Sequence, residues 1–166
     1  MQFLHLNECT AWCRRHGGIV DEAWKLAPDP TLQHISRIVF APSGSVGLEA
    51  AAEAACLQAV SPYDQALLWI REWGIWPSAE DWPRFYTARG SRGERSSLEE
   101  KPGHVFEGST DTSELALFLR MVLDQGWGAH LLAARQGRIL RRLWISHDGW
   151  IELGTDEPVS FALSAT

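Results

Sequence analysis

The pattern of apolar and polar positions is clearest in the last third of the chain. Residues 110–114 (TDTSE) open a segment whose apolar side chains fall on one helical face, and the segment closes at Gly126. Three strand-like runs follow, at 129–133, 139–146 and 150–153. The turn between the last two contains Asp148-Gly149, a strong hairpin signal. We therefore expect a helix followed by a three-stranded antiparallel meander.

The first two thirds of the chain contain both helix-like and strand-like patterns of apolar residues. Helices are predicted from Leu6 to His16, from Leu48 to Val60, and after a capping position at Ser78. A short strand is predicted at 37–40, and the continuous apolar run at 66–70 has the length of a buried central strand. Together these elements predict an α+β domain with helices packed on one face of a mostly antiparallel sheet.

Length and composition limit the architecture. A chain of 166 residues with 45% apolar content is large enough for one hydrophobic core, so we expect a single domain over residues 1–166. The sequence contains no run of eighteen apolar residues and does not open with a signal-peptide pattern, which predicts a soluble, cytoplasmic protein without a membrane contact. Three cysteines leave one unpaired in any disulfide scheme, so free thiols are expected.

Charge is unevenly distributed. The net charge of −6 disfavours general nucleic-acid binding. Thirteen of the fifteen basic residues are arginine, and the stretch from Arg84 to Arg142 carries ten basic and seven acidic residues, a local excess of three positive charges. Either the composition is biased toward arginine, or a small anionic group is bound near this stretch.

The segment 89–103 is rich in arginine, glycine and serine, which predicts a mobile loop. Long loops in compact domains are usually functional or disordered, so this loop is a candidate contact surface. Its arginines Arg89, Arg92 and Arg95 would either hold an acidic partner or remain solvated.

Tryptophan is unusually frequent, with nine copies, four of them in the stretch WIREWGIWPSAEDW. Trp69 lies in the predicted buried strand and is expected in the core. Trp73, Trp76 and Trp82 lie outside that strand, and an aromatic side chain with a polar N–H is suited to a binding surface. We therefore predict these three as contact residues for another protein.

Histidine and cysteine positions allow a metal-site hypothesis. His5, Cys9, Cys13 and His16 are spaced by four, four and three residues, which places them near one stripe of the first helix. Four ligands spread over three helical turns cannot converge on one tetrahedral ion. We expect no metal and no other cofactor, with the cysteines packed against the core.

Catalytic candidates are few. His147 and Asp148 lie in the predicted hairpin turn, and His130 or His104 is the alternative histidine for a site. The turn itself requires Asp-Gly, and no metalloprotease, nucleophile-elbow or P-loop motif is present.

Two functions remain open from the sequence. The first is a protein-binding module, of which an immunity- or antitoxin-like inhibitor is one form, using tryptophans and the arginine-rich loop. The alternative is a small hydrolase that uses His104, His130 or His147 with Asp148. Two histidines converging in one cleft would favour the enzyme, and a flat patch with two exposed tryptophans would favour the binding module.

Overall fold

The computed structural model describes residues 1–20, 31–39, 48–74, 82–108 and 110–163. The strands in these ranges are β1 (Gln2–Leu4), β2 (His34–Val39), β3 (Gln65–Glu72), β4 (Gly103–Glu107), β5 (Gly128–Arg135), β6 (Arg138–Ser146) and β7 (Trp150–Thr155). The helices are α1 (Leu6–Arg15), α2 (Leu48–Val60), α3 (Trp82–Gly90) and α4 (Thr112–Asp124). No helix within the described ranges has the length and apolar character needed to cross a membrane.

The seven strands form one sheet in the order β1-β4-β3-β5-β6-β7-β2, and every neighbouring pair is antiparallel. The predicted α+β class and the C-terminal helix followed by a β5-β6-β7 meander are confirmed. Strands β1 and β4 were not predicted, because they contain three and five residues and have too few positions to show a period.

Both faces of the sheet are covered near its centre. Ala66, Leu68 and Ile70 of β3 belong to the larger core cluster, which contains residues of α2, α3 and α4. Leu67 and Trp69 belong to a second cluster, which contains Cys9, Trp12 and Cys13 of α1. Because successive strand residues point to opposite faces, the two clusters lie on opposite sides of the sheet.

The prediction that the helices pack on one face is therefore not confirmed, since α1 belongs to the second cluster. The physical reason lies in β3, whose residues 66–70 are all buried. A strand that is apolar at every position needs cover on both of its faces. The expectation that Trp69 is a core residue is met, because its side chain is 0% exposed.

The arginine-rich segment 89–103 is built around its first residue. The Arg89 side chain is fully buried and donates hydrogen bonds to the backbone oxygens of Ser96 (3.2 Å), Ser97 (3.4 Å) and Lys101 (3.0 Å). Leu98, 1% exposed, joins the larger core cluster. The segment ends in β4 at Gly103. Its predicted mobility remains a prediction.

Candidate functional site

The tryptophans predicted as contacts have different surroundings. Trp73 is half-buried at the end of β3. Trp82 begins α3, where its ring stacks on Tyr86 at 6.0 Å and contacts Trp127 at 5.0 Å between ring centroids. Trp82 is thus packed at the margin of the larger core cluster. Trp76 lies outside the described residues.

The three arginines predicted as contact residues differ in how far their side chains are buried. Arg89 is 0% exposed and does not reach the surface. Arg92 and Arg95 are exposed. Arg92 forms an ion pair with Glu114 of α4 and lines, with Glu114 and Leu117, a cavity of about 220 Å³. Of the three arginines, only Arg92 and Arg95 have exposed side chains.

His104 is buried together with Arg89. Its Nε2 atom lies 2.9 Å from Arg89 Nη1 and accepts a hydrogen bond from the guanidinium, which requires a neutral imidazole with an unprotonated Nε2. Burial, followed by the positive charge of Arg89, lowers the pKa of His104 to about 3. Burial also lowers the pKa of Arg89. This histidine is 0% exposed, so it orders the interior rather than meeting a substrate.

His130 lies on the opposite face of the sheet from His104. His104 pairs with Leu68 of β3, whereas His130 pairs with Trp69, the next residue of the same strand. Burial, followed by the charges of Arg142 and Arg71, lowers the pKa of His130 to about 3. His104 and His130 therefore do not converge in one cleft.

His147 is held between two carboxylates. Its Nδ1 atom is 2.7 Å from Glu72 Oε2 at the end of β3, and its Nε2 atom is 3.4 Å from Asp148 Oδ1. The Ser146 hydroxyl accepts the backbone N–H of Asp148 at 3.1 Å and closes the turn. The structure thus brings the predicted His147 and Asp148 together with Glu72, which sequence reasoning did not identify.

Two backbone features place Glu72 beside His147. The pairing of β3 with β5 shifts register between Ile70 and Glu72, so a bulge re-aims the end of the strand. Gly128 provides the space, because a Cβ atom at this position would lie 2.3 Å from Glu72 Oε2. Glu72 and His147 are 75 residues apart, and neither the bulge nor this close approach has a sequence signal of its own.

The four side chains considered as metal ligands make other contacts. Cys9 and Cys13 are buried against the sheet, and burial is the main cause that raises the pKa of each thiol, to about 12 for Cys13. His5 Nδ1 lies 3.0 Å from the Glu100 carbonyl, and His16 Nδ1 lies 2.9 Å from the Trp12 carbonyl. No group of three His, Cys, Asp or Glu side chains in the described part of the chain is placed to hold a metal ion.

A row of side chains runs straight across five strands on the face that carries α1. The pairing joins Trp69 to His130, His130 to Trp144, Trp144 to Glu152 and Glu152 to Arg37. Trp69 is fully buried, whereas Arg37 at the far end of the row is exposed. The cover on this face therefore decreases from β3 toward β2.

The exposed end of this row and the residues beside it on the same face form a surface called the outer strip. It consists of Ile35, Arg37, Val39, Trp144, Trp150 and Glu152. Ile35 and Val39 are 60% and 73% exposed. Arg37 lies over the Trp150 ring at 4.1 Å and forms an ion pair with Glu152 at 2.8 Å. Two partly exposed tryptophans, an ordered guanidinium and exposed aliphatic side chains thus share one sheet face.

A cavity of about 220 Å³, called here the β3 cavity, lies where β3 ends. Its lining residues are Leu6, Trp69, Ile70, Arg71, Trp73, Glu99 and Pro102. The predicted contact residue Trp73 is therefore part of a concave site.

Comparisons of the chain with protein-family models, with curated proteins and with solved structures found no match.

Proposed function

We propose that this chain is a protein-binding module whose contact surface is the outer strip. The observation that carries the proposal is the exposure of Ile35 and Val39, at 60% and 73%, on the same strand. Exposed apolar side chains that share one sheet face with partly exposed tryptophans are typical of an interaction site. An immunity- or antitoxin-like inhibitor is the narrower form of this proposal.

The position of β2 supports strand addition as the mode of binding. β2 is the terminal strand of the described sheet, next to β7. An edge strand presents backbone N–H and C=O groups that can pair with an extended segment of another chain. Ile35 and Val39 would then contact alternate side chains of that segment, because both lie on one face of β2.

The chemistry of the outer strip favours a protein partner over a small ligand. Tryptophan and arginine are enriched among the residues that contribute most to binding energy. Trp150 and Arg37 are already stacked, so little side-chain freedom is lost when a partner covers them. The overall charge of −6 steers the chain toward a basic partner. Arg92 and Arg95 provide a separate candidate contact on the arginine-rich segment.

The Val39→Asp and Trp150→Ala variants test this function. We expect each to weaken partner binding at least about tenfold, because one buries an unpaired charge and the other removes an aromatic anchor. Affinity capture from the native cell lysate, followed by titration of the identified partner, measures the effect. Thermal unfolding checks that the variants remain folded.

Leu117→Asp is the matched control, since Leu117 is also an exposed aliphatic residue, at 43%, but lies on α4. This variant should retain the partner. Equal loss in Leu117→Asp and Val39→Asp, or full retention in Val39→Asp and Trp150→Ala, would contradict the proposal. Loss only in an Arg92→Ala/Arg95→Ala variant would move the interface to the arginine-rich segment.

A small hydrolase is the second candidate, and the contact between Glu72 and His147 favours it. A carboxylate at 2.7 Å from Nδ1 orients the imidazole, and Nε2, which lies 3.4 Å from Asp148 Oδ1, is the atom that would transfer a proton. We expect any hydrolytic activity to fall at least about a hundredfold in His147→Ala. A panel of ester and phosphodiester substrates measures it, with Glu72→Gln as the second variant. Activity that is equal in wild type and both variants would exclude this site.

A further inference from the structure

The β3 cavity is lined by both charged and apolar residues. Trp69 and Arg71 come from β3, and the Arg71 guanidinium carbon lies 4.7 Å from the centre of the Trp69 ring. Leu6, Trp73 and Pro102 provide apolar surface. Glu99, an exposed residue, is the carboxylate in the lining. A site that combines a stacked cation with apolar walls suits a small group with one anionic end.

One of the residues that line the cavity, Trp69, also carries an unused hydrogen-bond donor. The Nε1 atom of Trp69 is buried and has no hydrogen-bond partner in the described part of the chain. A buried indole N–H usually has a partner. The Nδ1 atom of His130, the residue paired with Trp69, is also buried without one. Two unsatisfied polar atoms therefore lie on neighbouring strands, one of them in a residue that lines the cavity.

We propose that the β3 cavity binds a small monocarboxylate with a flat apolar body. The carboxylate is held by Arg71 and the Trp69 indole N–H, and the apolar body lies against Trp73. Arginine has five N–H donors, so Arg71 can bind a carboxylate and retain its other contacts. The volume of about 220 Å³ fits a single ring or side chain rather than a larger ligand.

Glu99 sets the charge selectivity of this site. A second negative charge on the ligand would be repelled by the Glu99 carboxylate, whereas a monoanion bound at the Arg71 guanidinium has no second charge to be repelled. The site should therefore prefer monocarboxylates to phosphate and to dicarboxylates. Two kinds of molecule carry such a carboxylate with an apolar body: a free aromatic or aliphatic acid, and the C-terminal residue of another polypeptide.

Benzoate is the probe for the first test, with benzamide as its uncharged analogue. We expect benzoate to shift the indole N–H signal of Trp69 in a ¹⁵N-correlated NMR spectrum, assigned with Trp69→Phe, and benzamide to bind at least about tenfold more weakly. Arg71→Gln should weaken benzoate binding at least about tenfold. Glu99→Gln should strengthen it, because the repelling charge is removed while the cavity keeps its shape.

Arg71→Gln is expected to weaken benzoate binding and Glu99→Gln to strengthen it. Each variant therefore tests the proposal by itself, even if the other folds poorly. Equal affinity for benzoate and benzamide, no change in Arg71→Gln, or weaker binding in Glu99→Gln would each overturn the proposal. N-acetylphenylalanine distinguishes the two sources. Tighter binding of benzoate would indicate that the cavity binds a free acid. Tighter binding of N-acetylphenylalanine would indicate that it binds the C-terminus of a polypeptide.

Discussion

Replacing Arg89 with methionine is expected to lower the free energy of unfolding by about 3 to 5 kcal/mol, the range for breaking a buried charged network. The guanidinium satisfies the backbone oxygens of Ser96, Ser97 and Lys101 and the Nε2 atom of His104. Methionine fills a similar volume but donates no hydrogen bond, so these acceptors lose their donor, and His104 Nε2 loses it in the fully buried interior. Urea denaturation followed by circular dichroism measures the loss.

Arg95→Met is the matched control, because Arg95 lies in the same segment and its side chain is exposed. A surface substitution of this kind changes stability by about 0.5 kcal/mol or less. Arg89→Lys should be intermediate, since a single ammonium cannot reproduce the planar fork of the guanidinium. Equal stability of Arg89→Met and Arg95→Met would show that the buried network does not hold the segment.

Acidification is expected to destabilise the protein from about pH 6.5 downward, before the carboxylates titrate. The pKa of His104 and that of His130 are each about 3 in the folded chain, below the ordinary value of 6.5. At pH values between these two pKa values the unfolded chain binds a proton that the folded chain does not bind. The free energy of unfolding therefore falls as the pH falls. Each histidine contributes up to about 1.4 kcal/mol per pH unit in this range.

The slope of unfolding free energy against pH, measured by urea denaturation between pH 6.5 and 5, tests this expectation. His104→Gln should reduce the slope, because the amide oxygen can still accept from Arg89 but does not titrate in this range. Leu143→Ala, which removes core packing without removing a titratable group, should retain the wild-type slope. An unchanged slope in His104→Gln would mean that His104 is protonated in the folded chain or that the fold opens locally.

Local sequence signals predicted the secondary structure best where they were long or chemically specific. The helix 48–60 was predicted with the bounds that α2 has, because an alanine-rich run ends at Ser61-Pro62. The hairpin between β6 and β7 was predicted because Asp148-Gly149 supplies the turn, and Gly149 has a φ of 81° in the left-handed region. Strand β4 was missed because five residues, including a glycine, show no clear alternation.

The candidate sites were only partly predictable. Arg89 was expected at the surface because arginine is rarely buried, and its buried position depends on acceptors that only the folded segment provides. Ile35, Arg37 and Val39 alternate with Ser36 and Ile38 along β2, but the sequence does not show which face is covered. Ile38 is buried and Val39 is exposed, so strand pairing decides between them.

The sequence by itself determined the α+β class, the meander and the burial of Trp69, since these depend on residues that are close together in the chain. Tertiary structure alone decided that α1 covers a second face and that Trp144, Glu152 and Arg37 form one row. It also decided that Glu72 meets His147 and that Arg71 stacks on Trp69 beside a cavity. These contacts depend on strand register and on a bulge, which are set by the packing of distant segments and leave no local pattern.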